Sequence, residues 1–253
     1  MTEDRQGTYV YGVTRAGITL DALEEAKTDV PEVSLLEVGD LAAIVSDAPE
    51  EDEGATRDAV LAHAQVLASA VKTAPVVPMR FGVVFPNDEA VQKELLEDRR
   101  EELEGLLEKF DSVVEMLLKV YYREDAILRQ LVESEPEIAK LREAIRQGPE
   151  DATYNERVRL GELVNAAIEQ RREQDAAELM DHLKPLVVDS AAEEIEKELM
   201  VLNAPFLVER GRLEEFEGTL DSLAEERLKL MSFKLLGPMP AYHFIDLEEA
   251  AWA

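Results

Sequence analysis

Short stretches of alternating hydrophobicity recur through the first half of the chain. In Thr8–Val13 the side chains of Tyr9, Tyr11 and Val13 share one face, and this two-residue period predicts a β-strand. Gly39-Asp40 has the composition of a two-residue hairpin turn, which predicts that the segments on either side of it pair as strands. The extended segments predicted after the first strand are Val33–Val38, Leu41–Ser46, Pro75–Val77, Val83–Phe85 and Val113–Tyr122.

Helical periods separate these strands. Apolar residues spaced three and four positions apart predict a helix at Thr56–Lys72. His63 lies beside its apolar stripe and is interpreted as a packed, hydrogen-bonded histidine, because no nucleophile or second acid is suitably spaced for catalysis. Two other helices are predicted in this half, one at Leu20–Lys27 with Thr19 as its cap and one at Asp88–Lys109. The buried stripe predicted for the Thr56–Lys72 helix consists of Val60, Ala64, Leu67 and Val71.

The order of these elements predicts an α+β fold. It contains the β-α-β-β-α-β succession of a ferredoxin-like sandwich, with one added helix. Residues 1–122 are therefore predicted to form an N-terminal ferredoxin-like domain with an antiparallel sheet. The helices are expected to cover one face of this sheet, which leaves the other face free to contact a partner. In Val113–Tyr122, Glu115 and Lys119 are predicted to lie on the face opposite the apolar side chains.

Helices predominate after Arg123. Residues 186–198 suit either a short helix or an edge strand, and the pattern leaves both alternatives open. We predict a C-terminal domain over residues 123–253 that combines long helices, a small antiparallel sheet of ferredoxin-like variant type and an extended tail ending near Trp252. The elements predicted here are two helices separated at Pro136, a long helix at Tyr154–Lys184, a strand at Leu199–Glu209, a helix at Arg212–Glu226 and a strand at Leu228–Leu236.

Thr73–Phe85 is nearly all apolar but carries one charge, Arg80, in its middle. Pro78 and Gly82 interrupt the block, which therefore reads as two short extended pieces joined by a bend. A buried guanidinium needs an anionic partner or backbone carbonyls. Arg80 is therefore predicted either to lock the fold through a buried ion pair or to contact a partner. In the first case Arg80→Ala would destabilise the protein by roughly 3–5 kcal/mol.

The charge balance restricts the partners that this protein can have. Its 253 residues include 56 acidic and 27 basic side chains, which gives a net charge of −29. Such a surface repels nucleic acid and anionic lipid, so neither is expected as a partner. The acidic surface is interpreted as a solvated coat that prevents aggregation or as a complement to a basic or amphipathic protein, and composition does not separate the two.

Other features of the composition favour a cytoplasmic protein without a membrane anchor. No apolar run reaches the roughly 18 residues of a membrane helix. The N-terminal residues MTEDRQG are polar and partly acidic, unlike a secretory signal. The chain has no cysteine, which excludes disulfides, thiolate zinc sites and a cysteine nucleophile.

No stretch of the sequence matches a common catalytic or cofactor-binding motif. The acidic clusters Glu50–Glu53 and Glu193-Glu194 do not have the glycine and alternating oxygen ligands of a calcium loop, and are interpreted as solvated faces. Tyr242 and His243 could pair as an acid and a base. We favour the alternative in which Tyr242 and Phe244 pack while the polar tips reach water. We therefore predict no catalytic, cofactor-binding or metal-binding residue.

Four stretches of the sequence carry a recognisable pattern: YVYGV at residues 9–13, HAQVL at 63–67, VVPMRFGVVF at 76–85 and GPMPAYHFI at 237–245. Together they resemble the gas vesicle protein F/L family. The last of them departs from the family pattern at Met239 and Ala241, where Trp and Pro are common. Because the matches lie near the start, the middle and the end, the resemblance covers essentially the whole chain.

This resemblance implies a non-enzymatic accessory or minor structural protein of gas vesicle assembly. It further implies binding to the hydrophobic shell protein, to other accessory vesicle proteins or to both, in a cytoplasmic and vesicle-associated location and without a cofactor. The alternative is a regulatory or enzymatic protein that binds a small molecule, since ferredoxin-like folds serve many functions. The candidates for partner contact or for locking the fold are Pro78, Met79, Arg80, Phe81, Gly82, Tyr242 and Phe244.

Overall fold

A computed structural model describes residues 7–19, 32–48, 56–149 and 153–245 of the chain. The predicted helix at Leu20–Lys27, the acidic cluster at Glu50–Glu53 and the tail residue Trp252 lie outside these ranges. Among the described residues, no helix is both long enough and apolar enough to cross a membrane.

The five strands described before Asn87 form one antiparallel sheet, whereas the strand predicted at Val113–Tyr122 belongs to a second sheet. The order of the first sheet is β2-β3-β1-β4. β5 lies on the same side of β1 as β4, but it pairs with Thr8 and Tyr9, whereas β4 pairs with residues 12–14. The β2–β3, β1–β3, β1–β4 and β1–β5 pairs are all antiparallel. This arrangement confirms the predicted ferredoxin-like sheet. The strands are β1 (Thr8–Arg15), β2 (Ser34–Val38), β3 (Leu41–Asp47), β4 (Val76–Pro78) and β5 (Val84–Phe85).

A β-bulge in β1 changes which side chains point to each face of the sheet. The register against β3 shifts between Val10 and Gly12, so Tyr11 is the additional residue. Tyr9 and Tyr11 therefore both contact His63 on one side, whereas Val13 joins the hydrophobic core with Val10 on the other. The prediction that Val13 shares a face with the two tyrosines is wrong, because strict alternation ends at the bulge.

Helix α1 (Arg57–Ala70) begins where predicted but buries a different face. The hydroxyl of Thr56 caps it by accepting a hydrogen bond from the Ala59 N–H at 3.2 Å. Val60 is 43% exposed and Ala64 is also exposed, so the predicted stripe is wrong at these two positions. The side chains that α1 buries are His63, Val66, Leu67, Ser69 and Ala70.

Both faces of the first sheet are covered, which contradicts the expected free face. On the α1 side, a Cβ atom added to Gly12 would lie 2.9 Å from the side chain of Leu67. The other face packs into a hydrophobic core formed with the helical segment after Asn87. All residues of β3 except Asp47 are consequently buried. The core side chains contributed by that helical segment are Val91, Leu95, Leu96, Leu103 and Leu107.

The helix predicted at Asp88–Lys109 is not continuous. Asn87 caps its start by accepting a hydrogen bond from the Ala90 N–H at 2.9 Å. After α2 (Asp88–Ala90) the backbone forms a π-helix at Val91–Glu97, and α3 (Arg100–Lys109) then begins as a new helix. The π-helical turns change the angle between successive side chains, so both leucines at 95 and 96 are buried.

A second sheet has the order β7-β8-β6-β9. The predicted helix break at Pro136 is confirmed, as is the predicted long helix, which spans Tyr154–Leu183. Of the two alternatives for residues 186–198, the structure shows a strand, which is only two residues long. The last strand starts three residues later than predicted and continues through Pro238. The elements are β6 (Val113–Tyr122), α4 (Glu124–Ser134), α5 (Pro136–Gln147), α6 (Tyr154–Leu183), β7 (Asp189–Ser190), β8 (Met200–Glu209), α7 (Leu213–Arg227) and β9 (Met231–Met239).

By contacts, the chain divides into two compact units. The first contains residues 1–116, 207–211 and 236–253, and the second contains residues 117–206 and 212–235. A grouping by contacts does not test which segments fold independently, so the domain boundary at residue 122 stays a prediction.

Candidate functional site

The candidate residues at 78–82 lie where a strand is interrupted. β4 and β5 both pair with β1, through Gly12–Thr14 and Thr8-Tyr9 respectively, and residues 79–83 form a loop between them. The loop is fastened at both ends, because the Met79 N–H donates to the Tyr11 carbonyl at 2.9 Å and the Val10 N–H donates to the Val83 carbonyl at 3.0 Å. Its geometry is therefore fixed by β1.

A buried hydrogen-bond chain supports the loop from beneath. The hydroxyl of Tyr9 lies 2.8 Å from Nδ1 of His63, and Nε2 of His63 lies 3.1 Å from the carbonyl oxygen of Met79. A carbonyl can only accept, so Nε2 carries the proton and Nδ1 accepts from the tyrosine. The Gly82 N–H donates to the same tyrosine oxygen at 3.2 Å. The neutral imidazole thus joins both sides of the loop.

Burial keeps this chain uncharged near neutral pH. It raises the pKa of the Tyr9 hydroxyl to about 12, although the hydrogen bond from Gly82 opposes the shift. It lowers the pKa of the His63 imidazole, and the hydrogen bond to the Met79 carbonyl opposes that shift. Each group therefore has the protonation state that its hydrogen bonds require.

Aromatic rings surround the same histidine. The Tyr11 ring stacks on the His63 ring with centroids 5.4 Å apart, and Phe81 meets His63 edge-on at 5.8 Å. The Tyr9 ring also packs edge-on against Tyr11, at 4.9 Å. Phe81 is half-buried, so one part of its ring belongs to this cluster and the other part reaches the surface.

Arg80 is exposed, which does not fit the buried ion pair that was one of its two predicted roles and leaves the partner contact as a prediction. Its neighbours Pro78 and Met79 are buried, but the chain leaves the sheet after Met79 and turns the next side chain outward. No described residue forms an ion pair or hydrogen bond with the Arg80 side chain. The predicted ion pair of Arg80 is therefore not found among the described residues, and the roles of Pro78 and Met79 in locking the fold or contacting a partner stay predictions.

The C-terminal candidates belong to the same contact unit as this loop. Tyr242, His243 and Phe244 form a single 3-10 turn. Phe244 is partly buried against the core of the first sheet. Burial raises the pKa of the Tyr242 hydroxyl, and electrostatic interactions with Tyr9 and Glu115 raise it further by smaller amounts. The turn is thus packed rather than extended.

Glu115 holds this turn and was not identified from the sequence. It is fully buried, and its carboxylate contacts His243 twice: Oε1 lies 2.5 Å from Nδ1, and Oε2 accepts the backbone N–H at 3.0 Å. The two residues are 128 positions apart in the sequence. The residues next to Glu115 in the sequence do not indicate that His243 is its partner. A single acid in an otherwise apolar strand is nevertheless a reason to expect some specific partner.

The second unit contains another buried acid, Asp175, on α6. It accepts a hydrogen bond from the Tyr122 hydroxyl at 2.7 Å and one from Nε of Arg171 at 3.0 Å. Within the described ranges, no three histidine, aspartate or glutamate side chains come close enough together to hold a metal ion. The buried titratable groups described here all take part in hydrogen bonds that join segments of the fold.

Comparison with known proteins places the sequence in one family. The sequence model described as "Gas vesicle synthesis protein GvpL/GvpF" matches residues 7–246. A gas vesicle protein F from a Streptomyces species is 36% identical over 241 residues, which cover 94% of this chain and 99% of the relative. A gas vesicle protein L from the same species is 29% identical, over 98% and 96% of the two chains.

Solved structures have the same fold. The crystal structure of the gas vesicle protein GvpF from Anabaena sp. superposes with a TM-score of 0.74 at 23% identity, covering 94% of this chain and 98% of that one. The crystal structure of GvpF from Microcystis aeruginosa superposes with a TM-score of 0.71 at 22% identity, with the same coverage. The family match along nearly the whole sequence and the shared fold agree, and the chain belongs to the GvpL/GvpF family of gas vesicle synthesis proteins.

Proposed function

We propose that this protein fulfils its accessory role in gas vesicles by binding, without catalysis, the hydrophobic shell protein or other vesicle proteins through the loop at residues 79–83. The observation that supports this most directly is the exposed Arg80 beside the half-buried Phe81. Arginine and aromatic side chains supply much of the binding energy in protein interfaces. A cation without a partner among the described residues is available to an incoming acid or carbonyl.

The support beneath the loop also favours a binding role. Tyr9 and His63 fix the backbone of Met79 and Gly82, so little conformational freedom is lost when a partner binds. The same side chains are buried and engaged with one another, which leaves them poorly placed for proton transfer to a substrate. This arrangement is more suitable for presenting a surface than for chemistry.

The charge of the chain suits the chemistry of such a partner. A shell subunit exposes apolar surface before it assembles, and a chain with net charge −29 resists association with copies of itself. Binding would therefore keep the shell subunit dispersed without drawing the accessory protein into a polymer. A cytoplasmic, vesicle-associated location is part of this proposal.

Arg80→Ala and Phe81→Ala test the loop directly. The affinity-tagged protein would be co-expressed with the shell protein, and separately with each other vesicle protein, and the retained partner measured by quantitative immunoblot. We expect Arg80→Ala to reduce retention of at least one partner by about fivefold or more. Its free energy of unfolding should change by less than about 0.5 kcal/mol, because the side chain is exposed.

Lys72→Ala is the matched control, since Lys72 is also an exposed cation of the same contact unit. Its retention of each partner should equal that of the unmodified protein. If Arg80→Ala and Phe81→Ala retained every vesicle protein as well as Lys72→Ala does, the loop would not be the binding surface.

A further inference from the structure

An open groove lies among three helices of the second contact unit. It has a volume of about 490 Å³, and α4, α5 and α6 all contribute to its walls. Leu128 on α4 is 36% exposed, so the apolar lining is accessible to solvent. The apolar residues that line the groove are Leu128, Val132, Ile138, Leu160 and Val164.

Two arginines line the same groove, and no salt bridge holds either of them within the described residues. Arg129 on α4 and Arg142 on α5 are both exposed, and neither forms an ion pair or hydrogen bond with any residue in the described ranges. Nearby arginines behave differently, since Arg146 pairs with Glu143 and Arg159 pairs with Glu137. Both guanidiniums in the groove are therefore exposed and outside any salt bridge of the described residues, although the pKa of the Glu143 carboxyl, lowered chiefly by its hydrogen bond with Arg146, is lowered further by the charge of Arg142.

The groove thus combines an apolar floor with two exposed arginine side chains. Asp125 is the one acidic residue among the eight that line it, against the two arginines. Leu128 and Val132 are four residues apart on α4, and Leu160 and Val164 are four residues apart on α6, so each helix presents an apolar row. Apolar rows of this kind receive the side chains of an amphipathic helix laid between them.

We propose that this groove binds an amphipathic helix of a partner protein whose apolar stripe is flanked by aspartate or glutamate. The apolar stripe would fill the floor, and the acids would pair with Arg129 and Arg142. The net negative charge of the whole chain opposes an acidic partner only over long distances. At about 0.15 M salt the screening length is about 8 Å, so the contacts within the groove dominate.

A pair of synthetic helices provides the test. Each is about 18 residues long, a length that supports helix formation on binding, with leucines spaced three and four apart; one carries glutamates beside the leucines and the other lysines. Binding to the full chain would be followed by fluorescence anisotropy of a labelled peptide. We expect the glutamate helix to bind at least about tenfold more tightly than the lysine helix.

Substitutions in the groove should act with opposite signs. The double variant Arg129→Glu/Arg142→Glu should weaken binding of the glutamate helix at least about tenfold. Asp125→Asn should strengthen it, because it removes the only negative charge among the lining residues. The double variant Lys72→Glu/Lys93→Glu changes the net charge equally on exposed residues outside the groove, and should leave binding unchanged.

Three results would overturn the proposal. The first is equal binding of the two synthetic helices. The second is an arginine reversal that weakens binding no more than the lysine control does. The third is sedimentation that shows dimers of the unmodified protein, which the arginine reversal dissociates. The last result would make a second copy of this chain the occupant. The inference does not depend on the proposed function, because none of these variants alters residues 79–83.

Discussion

Single side chains show where local sequence is informative and where it is not. Arg80 looked buried because its neighbours in the sequence are apolar, yet it is exposed. Glu115 lies in a similarly apolar stretch and is fully buried. The difference depends on the distant residue His243, which supplies two hydrogen bonds to Glu115 and is absent from any local window. Burial of a charge is therefore decided by tertiary partners.

Glu115→Ala should destabilise the protein by about 2 kcal/mol, because it leaves the backbone N–H of His243 without its acceptor. Glu115→Gln should recover at least half of that loss. Its amide oxygen can accept the N–H while its NH₂ group donates to Nδ1 of a neutral His243. Urea denaturation followed by circular dichroism measures both variants. Equal losses for alanine and glutamine would show that these hydrogen bonds do not support the tail.

His63 should make stability depend on pH in a defined direction. Burial lowers its pKa in the folded state below the ordinary value of 6.5, so the unfolded chain takes up a proton first on acidification. The contribution of His63 is therefore fully present above about pH 6.5 and is lost as the pH falls below it, by at most about 1.4 kcal/mol per pH unit.

The measurement for His63 is the free energy of unfolding at several pH values between about 7.5 and 5, compared with that of His63→Gln. The glutamine variant should lose less stability over this interval, since it has no titrating ring. Parallel curves for the two proteins would mean that the histidine is equally easy to protonate in the folded and unfolded states.

At the scale of elements, the sequence predicted most strands and helices but fewer of their faces. Hydrophobic period and turn residues are local, which is why β2, β3, α6 and α7 were found close to their observed positions. The bulge in β1 and the π-helix at Val91–Glu97 change the phase of a period without changing its composition. The bulge explains why the face of Val13 in β1 was mispredicted. Part of the buried face of α1 was mispredicted as well, and the expected free sheet face was not found.

The interrupted strand β4–β5 gives a prediction at this scale. Gly82 has φ +95°, and a Cβ atom there would meet no other atom within 4 Å. Gly82→Ala should therefore cost about 1–2 kcal/mol from backbone strain alone. Gly161 also has open space for a Cβ atom, but it lies within helix α6. Gly161→Ala should stabilise the protein by up to about 1 kcal/mol.

Thermal denaturation of both glycine variants separates strain from crowding, since neither new methyl group has a close neighbour. If Gly82→Ala melted at the temperature of the unmodified protein, the loop would be free to relax, and its rigid presentation of Arg80 would no longer be supported. The Gly161→Ala result checks that the alanine effect itself has the expected sign.

For the whole molecule, excess charge is the property that composition alone establishes. The described ion pairs lie mostly on exposed side chains, as in Arg146–Glu143 and Arg159–Glu137. Exposed ion pairs contribute little to the free energy of unfolding, so added salt removes little stabilising attraction. Repulsion among the remaining acids is larger and also destabilises the compact state. Screening this repulsion should therefore raise stability.

We expect the melting temperature to rise steeply as potassium chloride is increased from about 0.05 M to above 1 M, where the screening length falls to about 3 Å. A variant with four exposed glutamates replaced by glutamine, at positions 108, 133, 162 and 217, should gain less from the same salt, because it has less repulsion to screen. A flat response in both proteins would show that repulsion among the surface acids does not limit stability. The acidic surface would then be better explained by solubility alone or by a basic or amphipathic partner that the charges attract.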